Sequence, residues 1–272
     1  MTSLMLPMAD GGGFHPPTLD DFFPPAILFE GTIFEFNRIM MIRVIAAVAI
    51  TLFFVLATRR MTLVPSRKQS LAEMGLGFVR ESVAVEVLGE VKGKKYTPLL
   101  TVIFFGVLAM NITGVIPFLN IAGSSVVGFP ATMAIISLIA FIWAGIVHAR
   151  GSNGLTRAGN FFKGQLFPAG VPWPIYLILT PIELISTFIL RPVTLTIRLL
   201  ANMMSGHFLL VLCFSATNFL FLEAAGALKL AGAVTLMAGV AFTLFELFIA
   251  ALQAFIFALL SAVYIELSTS DH

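Results

Sequence analysis

The chain has 272 residues, of which 58% are hydrophobic and only 11% are charged, and its formal net charge at pH 7 is +2. A soluble domain carries about 25% charged residues, so the composition excludes an ordinary soluble enzyme. The mean hydropathy of +1.00 predicts a polytopic membrane protein whose partners are lipids and other membrane chains, with no role for nucleic acid.

Residue types that bind metals or cofactors are sparse. The single cysteine, Cys213, lies in an apolar run, where a lone thiol is ordinarily packing. The four histidines show no metal-ligand spacing, and the chain has no glycine-rich phosphate loop and no nucleophile motif. We therefore expect neither a metal nor a cofactor.

The N-terminal 36 residues contain five acidic residues and no basic one, and they include the run Gly11–Gly13. This composition predicts an acidic, loosely ordered arm. It lacks the basic start of a secretory signal, so we expect no cleaved signal peptide. Residues 39–58 then provide the roughly 20 apolar residues that cross a bilayer, and Arg43 near their start can snorkel to the interface.

A basic loop over residues 59–95 follows, with eight basic and four acidic side chains. Within it, residues 71–88 predict an amphipathic helix along the membrane surface. Its apolar face would consist of Leu71, Met74, Phe78, Val85 and Leu88.

Residues 37–272 predict a single membrane domain. After the first span, further spans fall near 99–121, 126–147, 175–222 and 228–267, and residues 148–166 form a second basic loop. By the positive-inside rule both basic loops are cytoplasmic. The acidic arm and the turns near Ser125 and Ala225 are then external, and the C-terminus is cytoplasmic.

The last two apolar segments are too long for upright spans. About 40 residues of helix cover roughly 60 Å, which is about twice the hydrocarbon thickness. The sequence therefore predicts an all-α protein with about five spans whose last two helices are strongly tilted and packed as an antiparallel hairpin. Pro181 and Pro192 are candidate kinks.

Arg198 lies in one of the most apolar stretches, where a charged side chain costs roughly 2.5–3.5 kcal/mol on insertion scales. Such a residue is tolerated when it faces a cavity, a partner or a moving ion. At 100° per helical residue, a polar stripe lies within about 40° of Arg198. Its other members are Arg191, Thr194, Asn202 and Ser205.

Other polar side chains lie off this stripe. His207 falls at about 180° from Arg198, whereas Glu246 and Gln253 are seven residues apart and share a face of the last helix. His207 and Glu246 could thus form a second polar environment, facing a different compartment. Glu183 lies nearer the cytoplasmic start of the first long helix, and Asn111 interrupts the second span.

Two segments carry a resemblance to a known family. The run RPVTLTIRLLANMMSGH at 191–207 resembles the signature of subunit a of the F-type ATP synthase membrane sector. The run LQAFIFALLSAVY at 252–264 resembles that family's terminal helix. The general layout of arm, basic loop and long helix pair is also similar.

The resemblance implies a non-catalytic stator subunit in a bacterial inner membrane. Its partners would be a rotating ring of proteolipid subunits c, the peripheral-stalk subunit b and the rest of the complex. Protons would enter one aqueous half-channel, load a ring carboxylate, and leave through a second half-channel after rotation. An essential arginine between the half-channels would prevent a short circuit, so that proton flow drives ATP synthesis.

The same resemblance assigns roles by position. Arg198 would be the essential arginine, Asn202 its neighbour and Gln253 its partner from the final helix. His207 and Glu246 match the polar pair of the outer entry path. Two further matches are Asn111 in the second span and Glu183, which stands nine residues before Pro192 instead of eight.

Two alternatives remain at the level of sequence. A secondary transporter could use Arg198 to bind an anionic substrate, although the chain lacks an inverted repeat and has few spans. A non-catalytic assembly factor would leave Arg198, His207 and Glu246 without a function.

Overall fold

The computed structural model describes residues 26–28, 36–59, 61–62, 65–116, 119, 121–166, 173–223 and 228–270. Within them the chain is almost entirely helical, and five helical segments are long and apolar enough to cross a membrane. This confirms the predicted all-α membrane protein with five spans. The helices are α1 (Arg38–Thr58), α2 (Arg67–Val79), α3 (Glu86–Ile112), α4 (Gly128–His148), α5 (Gly154–Leu166), α6 (Trp173–Ile185), α7 (Arg191–Leu222) and α8 (Leu228–Ser270).

A short ribbon precedes α1, where the sequence predicted only a loose arm. Strand β1 (Ala26–Leu28) pairs antiparallel with β2 (Phe36–Asn37). Asn37 then caps α1, because its side-chain oxygen accepts a hydrogen bond from the Met40 N–H at 3.0 Å. Most of the predicted acidic arm, residues 1–25 and 29–35, lies outside the described residues.

The predicted surface helix forms and ends where the sequence placed its end. Helix α2 continues through a π-helical segment, Arg80–Val85, into α3, and the chain bends sharply at Gly89, whose φ is +73°. Only glycine adopts this φ without strain. A Cβ on Gly93 would lie 2.9 Å from the carbonyl oxygen of Ala84, so the chain folds back closely on itself.

This helix has two apolar sides, whereas the sequence predicted one. Ala72, Val79 and Val83 are buried against the rest of the protein. Leu71 and Met74, from the predicted apolar face, point outward and are more than half exposed. The inner side packs on the protein, and the outer side is not covered by any described residue. That the helix lies along the membrane surface stays a prediction.

The second span is shorter than predicted. Helix α3 ends at Ile112 rather than near residue 121, and α4 begins at Gly128. The Thr113 hydroxyl donates to the Met110 carbonyl at 2.7 Å and accepts from the Gly123 N–H at 3.0 Å. These bonds satisfy the end of the helix and bring Gly123, in the turn between α3 and α4, back against it.

Arg43 binds the turn between α3 and α4, and that it also snorkels to the interface stays a prediction. Its guanidinium donates to the carbonyl oxygens of Gly123 at 2.7 Å and Val126 at 3.2 Å. The side chain is half-buried and holds the α3–α4 turn against α1.

The second basic loop contains a helix that the sequence did not predict. Helix α5 inserts the fully buried Phe161 against α4, where it meets Phe141 edge-on at 5.7 Å between ring centroids. A Cβ on Gly145 would lie only 2.0 Å from the Phe161 ring, so the glycine makes room for the aromatic side chain.

The first long segment is continuous but irregular in its middle. A π-helical segment, Ser186–Leu190, joins α6 to α7, and the Arg191 N–H bonds the Ser186 carbonyl five residues back. Pro192 follows immediately, and a proline lacks an N–H and crowds the carbonyl four residues before it. The wider π turn accommodates that defect. From the sequence we had predicted kinks at Pro181 and Pro192 themselves.

The predicted hairpin of α7 and α8 is confirmed. The two helices run antiparallel, because residues further along α7 contact residues with progressively lower numbers on α8. Asn202 bonds Gln253, Gly206 lies against Glu246, and the Thr217 hydroxyl donates to that of Thr235 at 2.9 Å. Helix α8 is 43 residues long, roughly 65 Å, so its strong tilt in a bilayer stays the expectation.

Helix α8 is the centre of the core, because it packs along both α3 and α7. Its inner face is mostly small, and small residues allow helices in a membrane to approach closely. The fully buried alanines of this face are Ala250, Ala254, Ala258 and Ala262.

Candidate functional site

Helix α7 has two different faces at the level of Arg198. Leu195, Leu199 and Met203 are buried against α8 and its neighbours. Thr194, Arg198 and Ser205 lie on the uncovered side. The predicted polar stripe is therefore a surface of the chain, which leaves Arg198 open to whatever borders this helix in the membrane.

Arg198 makes no hydrogen bond and no ion pair with any residue that the structure describes. A guanidinium has five N–H donors and is always charged. In an apolar span such a group needs water or an anion from elsewhere. Its exposure on α7 is thus best explained by a partner outside this chain.

One turn beyond Arg198, the hairpin is joined by a direct polar contact. The side-chain N–H of Asn202 donates to the Gln253 Oε1 at 3.1 Å. Gln253 is buried, whereas Asn202 is half-buried. The bond fixes the position of α8 next to the uncovered face of α7. The family resemblance had implied that Gln253 of the final helix lies near this part of α7.

Glu246 is a buried acid without an internal partner. Only 3% of its surface is exposed, and neither carboxylate oxygen has a hydrogen-bond partner among the described residues. The carboxylate lies against Gly206 of α7, where a Cβ would come within 3.0 Å of Oε1. A carboxyl group in such a place is costly unless water or a proton reaches it.

A cavity of about 280 Å³ has Glu246 in its wall, and both carboxylate oxygens are buried behind that wall. It is large enough for several water molecules. Its polar lining consists of Asn202, Ser205 and Glu246, and its walls include Phe242 and Phe245. Glu246 therefore borders the same space as two members of the Arg198 stripe, whereas the sequence had grouped it with His207 in a separate environment.

His207 lies on the side of α7 opposite Arg198, as the helical angle predicted. It is buried, with 6% of its surface exposed, and it does not line the cavity beside Glu246.

Asn111 connects three parts of the structure. It is fully buried, accepts a hydrogen bond from the Ser124 hydroxyl at 2.6 Å, and donates to the Ala250 carbonyl at 3.4 Å. Ala250 lies one helical turn after Glu246. Asn111 therefore anchors the α3–α4 turn to α8 beside the acid, without reaching the cavity itself.

Glu183 lies apart from these groups, on α6. It is half-buried and accepts a hydrogen bond from the Thr187 hydroxyl at 3.1 Å. Thr187 lies in the π-helical segment and is buried. No contact between Glu183 and the cavity beside Glu246 is present in the described part of the chain.

Arg191 departs from the predicted stripe. Its guanidinium lies over the rings of Phe141 and Tyr264, at 5.7 and 5.1 Å from their centroids. These contacts sequester a second membrane cation between α4, α7 and α8. The sequence placed Arg191 in the polar stripe, and no spacing in it indicated this aromatic site.

The fold and this arrangement define a class of protein. It is a polytopic α-helical membrane protein with an uncovered cation on one spanning helix and a cavity-lining acid on the neighbouring helix, which suits ion transport. The family model described as ATP synthase A chain matches residues 39–266. ATP synthase subunit a of Rhodococcus erythropolis is 47% identical over 258 residues, which cover 94% of this chain and 90% of the relative.

Two further relatives agree. The proteins named ATP synthase subunit a from Pseudarthrobacter chlorophenolicus and Paenarthrobacter aurescens are 38% and 41% identical, each over 98% of this chain and 97% of the relative. The chain belongs to the ATP synthase subunit a family. It is a multi-pass bacterial membrane protein and a non-catalytic subunit of the rotary complex, and this membership gives no support to the secondary-transporter alternative.

Proposed function

We propose that Arg198 is the fixed cation that separates two proton half-channels at the contact with a rotating ring of subunits c. The observation that carries this proposal is the exposure, on the uncovered face of α7, of a guanidinium that no described residue pairs with. A fixed cation attracts an ionised ring carboxylate and favours its deprotonation, and it repels a passing cation. The chain thereby acts as the stator that couples proton flow to ATP synthesis in a separate catalytic head.

The entry path runs through the cavity beside Glu246. This acid is buried, finds no hydrogen-bond partner in the part of the chain that the structure describes, and lies in the wall of a space that Asn202 and Ser205 also line. A proton that reaches Glu246 is therefore within a few side chains of the Arg198 face. His207 belongs to the same outer half of the hairpin and acts nearer the external surface. Gln253 and Asn111 hold α8 in position for this path.

The exit path uses Glu183. It lies before Arg198 in a segment that starts from the second basic loop, which is the cytoplasmic side by the positive-inside rule. Its bond to Thr187 orients the carboxylate next to the π-helical segment.

The same rule gives the orientation in the bacterial inner membrane. The acidic arm of residues 1–36 is external, residues 37–272 form one membrane domain, and the C-terminus is cytoplasmic. Partners are the ring of subunits c, the peripheral-stalk subunit b, the rest of the complex and membrane lipids.

The experiment is ATP-driven acidification of inverted vesicles at equal levels of assembled complex. We expect Arg198→Ala to lower proton pumping at least tenfold, because the ring carboxylate loses its fixed counter-charge. The matched control is Arg150→Ala, which removes an exposed arginine from the loop after α4. Pumping near the wild-type rate in Arg198→Ala would remove the role assigned to this residue.

A further inference from the structure

Arg191 is the second arginine of α7, and no step of the proposed proton path uses it. It precedes Arg198 by seven residues, or about 10 Å along an α-helix. Among the described residues no carboxylate lies within ion-pair distance of its guanidinium, and its Nη1 is buried without a hydrogen-bond partner there. A membrane cation that is held without an anion needs another source of stabilisation.

Two aromatic rings supply that stabilisation. The guanidinium carbon lies over the ring of Phe141 on α4, at 5.7 Å from its centroid, and over the ring of Tyr264 on α8, at 5.1 Å. Both distances are within the range of about 6 Å in which a ring face attracts a cation. These two rings form the aromatic clamp of Arg191. The clamp joins the start of α7 to two other helices at one point.

The two rings of the clamp are held at a fixed spacing. The Ser137 hydroxyl of α4 donates to the Ser261 hydroxyl of α8 at 2.8 Å, and both side chains are buried. Ser137 lies four residues before Phe141, and Ser261 lies three residues before Tyr264. Phe141 also packs edge-on against the buried Phe161 of α5. The clamp is therefore part of a packed junction between helices.

The backbone of the long segment is least restrained where the clamp acts. The Arg191 N–H bonds the Ser186 carbonyl across a π turn, and the next residue, Pro192, has no N–H to donate. Two successive residues therefore lie outside the regular ladder of α-helical hydrogen bonds. Phe188, in the π-helical segment, packs against Phe141 at 6.2 Å between centroids. One ring thus borders both the irregular segment and the cation.

The rotation of the turns that follow decides what Arg198 faces. Leu195 and Leu199 are buried, whereas Thr194 and Arg198 lie on the uncovered side of α7. Neighbouring residues of an α-helix differ by about 100°. A rotation of α7 by one residue position would therefore carry the Arg198 guanidinium from the uncovered face toward the packed face.

We propose that Arg191 is a positioning residue of the proton path. Held in its aromatic clamp, it fixes the rotation of the start of α7 and thereby keeps Arg198 on the uncovered face. This inference rests on the function proposed for Arg198, because Arg191 acts through that residue. The two arginines of α7 have different tasks: one is covered by rings and holds the helix, and the other is open to a partner.

The first test weakens the attraction of a ring and keeps its shape. Phe141 is replaced by 3,4,5-trifluorophenylalanine, because fluorine withdraws electron density from the ring face that attracts the cation. We expect ATP-driven proton pumping to fall several-fold at equal levels of assembled complex. The same replacement in an Arg191→Met background should cause no further loss, since the cation is already gone. Phe161 is the control position, because it is equally buried but the Arg191 guanidinium does not lie over it.

The second test asks whether Arg191 acts through Arg198. Passive proton flux is measured in vesicles stripped of the catalytic head. We expect Arg191→Met to raise the flux several-fold, and Arg191→Lys, which keeps a cation between the rings, to stay near the wild-type value. Adding Arg191→Met to Arg198→Ala should raise the flux no further than Arg198→Ala alone. A purely structural role for Arg191 predicts that the two effects add.

Two results would overturn the proposal. One is a pumping rate that fluorination of Phe141 leaves unchanged, or lowers equally with and without Arg191. The other is a flux in the double variant clearly above that of Arg198→Ala. If Arg191→Met fails to assemble, the comparison between fluorinated Phe141 and fluorinated Phe161 still decides whether the clamp acts. Failure of the function proposed for Arg198 is distinguishable, because Arg198→Ala alone would then leave the flux unchanged.

Discussion

Glu246 is the residue whose energetics most clearly separate function from stability. An ionised carboxylate buried without a partner costs several kcal/mol, and both of its oxygens lack one among the described residues. An apolar side chain would pack the hairpin better. The presence of Glu246 is therefore explained by proton exchange with the cavity rather than by a contribution to the stability of the fold.

Gly206 tests how closely this carboxylate must be positioned. A Cβ there would lie 3.0 Å from Oε1 of Glu246, tighter than ordinary contact. We expect Gly206→Ala to displace the carboxylate and to lower ATP-driven proton pumping several-fold, while the amount of assembled complex changes little. Gly159→Ala, which meets open space, is the control. Equal pumping in both variants would show that the position of the carboxylate is not critical.

At the same scale, helical angles predicted some residues and failed for others. The 100° rule correctly put Arg198 on one face of α7 and His207 on the other. It gave Arg191 nearly the same angle as Arg198, yet Arg191 is covered by Phe141 and Tyr264. An angle belongs to one helix, whereas burial depends on how far the neighbouring helices extend, and the sequence of α7 does not contain that information.

At the scale of elements, apolar runs predicted where spans exist better than where they end. Residues 113–121 are apolar enough to continue α3, and so the sequence extended the span through them. The bonds of the Thr113 hydroxyl end the helix instead. The π-helical segment before Pro192 was also missed. It accommodates the missing N–H of the proline, and this local change in geometry leaves no mark in the hydrophobicity of the sequence.

Arg43 provides a test of the α3–α4 turn. Arg43→Met keeps an unbranched apolar stem but removes the bonds to Gly123 and Val126, and hydrogen bonds from a charged donor contribute about 1.5–3 kcal/mol each. We expect a lower thermal unfolding temperature and reduced pumping, because Ser124 in this turn holds Asn111. Arg38→Met, which removes an exposed bond to the Leu119 carbonyl, is the milder control. Identical effects of the two substitutions would contradict this role for Arg43.

At the scale of the whole molecule, α8 links the site to the rest of the domain. Its alanine face packs on α3 and α7, its Gln253 bonds Asn202, and its Lys92–Glu266 ion pair at 3.1 Å ties the far end to α3. The chain thus holds a buried acid and an uncovered arginine on a rigid hairpin. The order of the spans and the hairpin followed from the sequence, but the cavity beside Glu246 did not, because it depends on side chains from both helices.

The central claim is that Arg198 is a barrier between an outer path through Glu246 and a cytoplasmic path. Passive proton flux through vesicles stripped of the catalytic head tests it most directly, in the wild type, Arg198→Ala and the double variant Arg198→Ala with Glu246→Gln. We predict low flux in the wild type, a several-fold higher flux in Arg198→Ala, and a return to the low value in the double variant. A high flux that persists in the double variant would mean that protons do not pass through Glu246, and an unchanged flux in Arg198→Ala would mean that Arg198 is not the barrier.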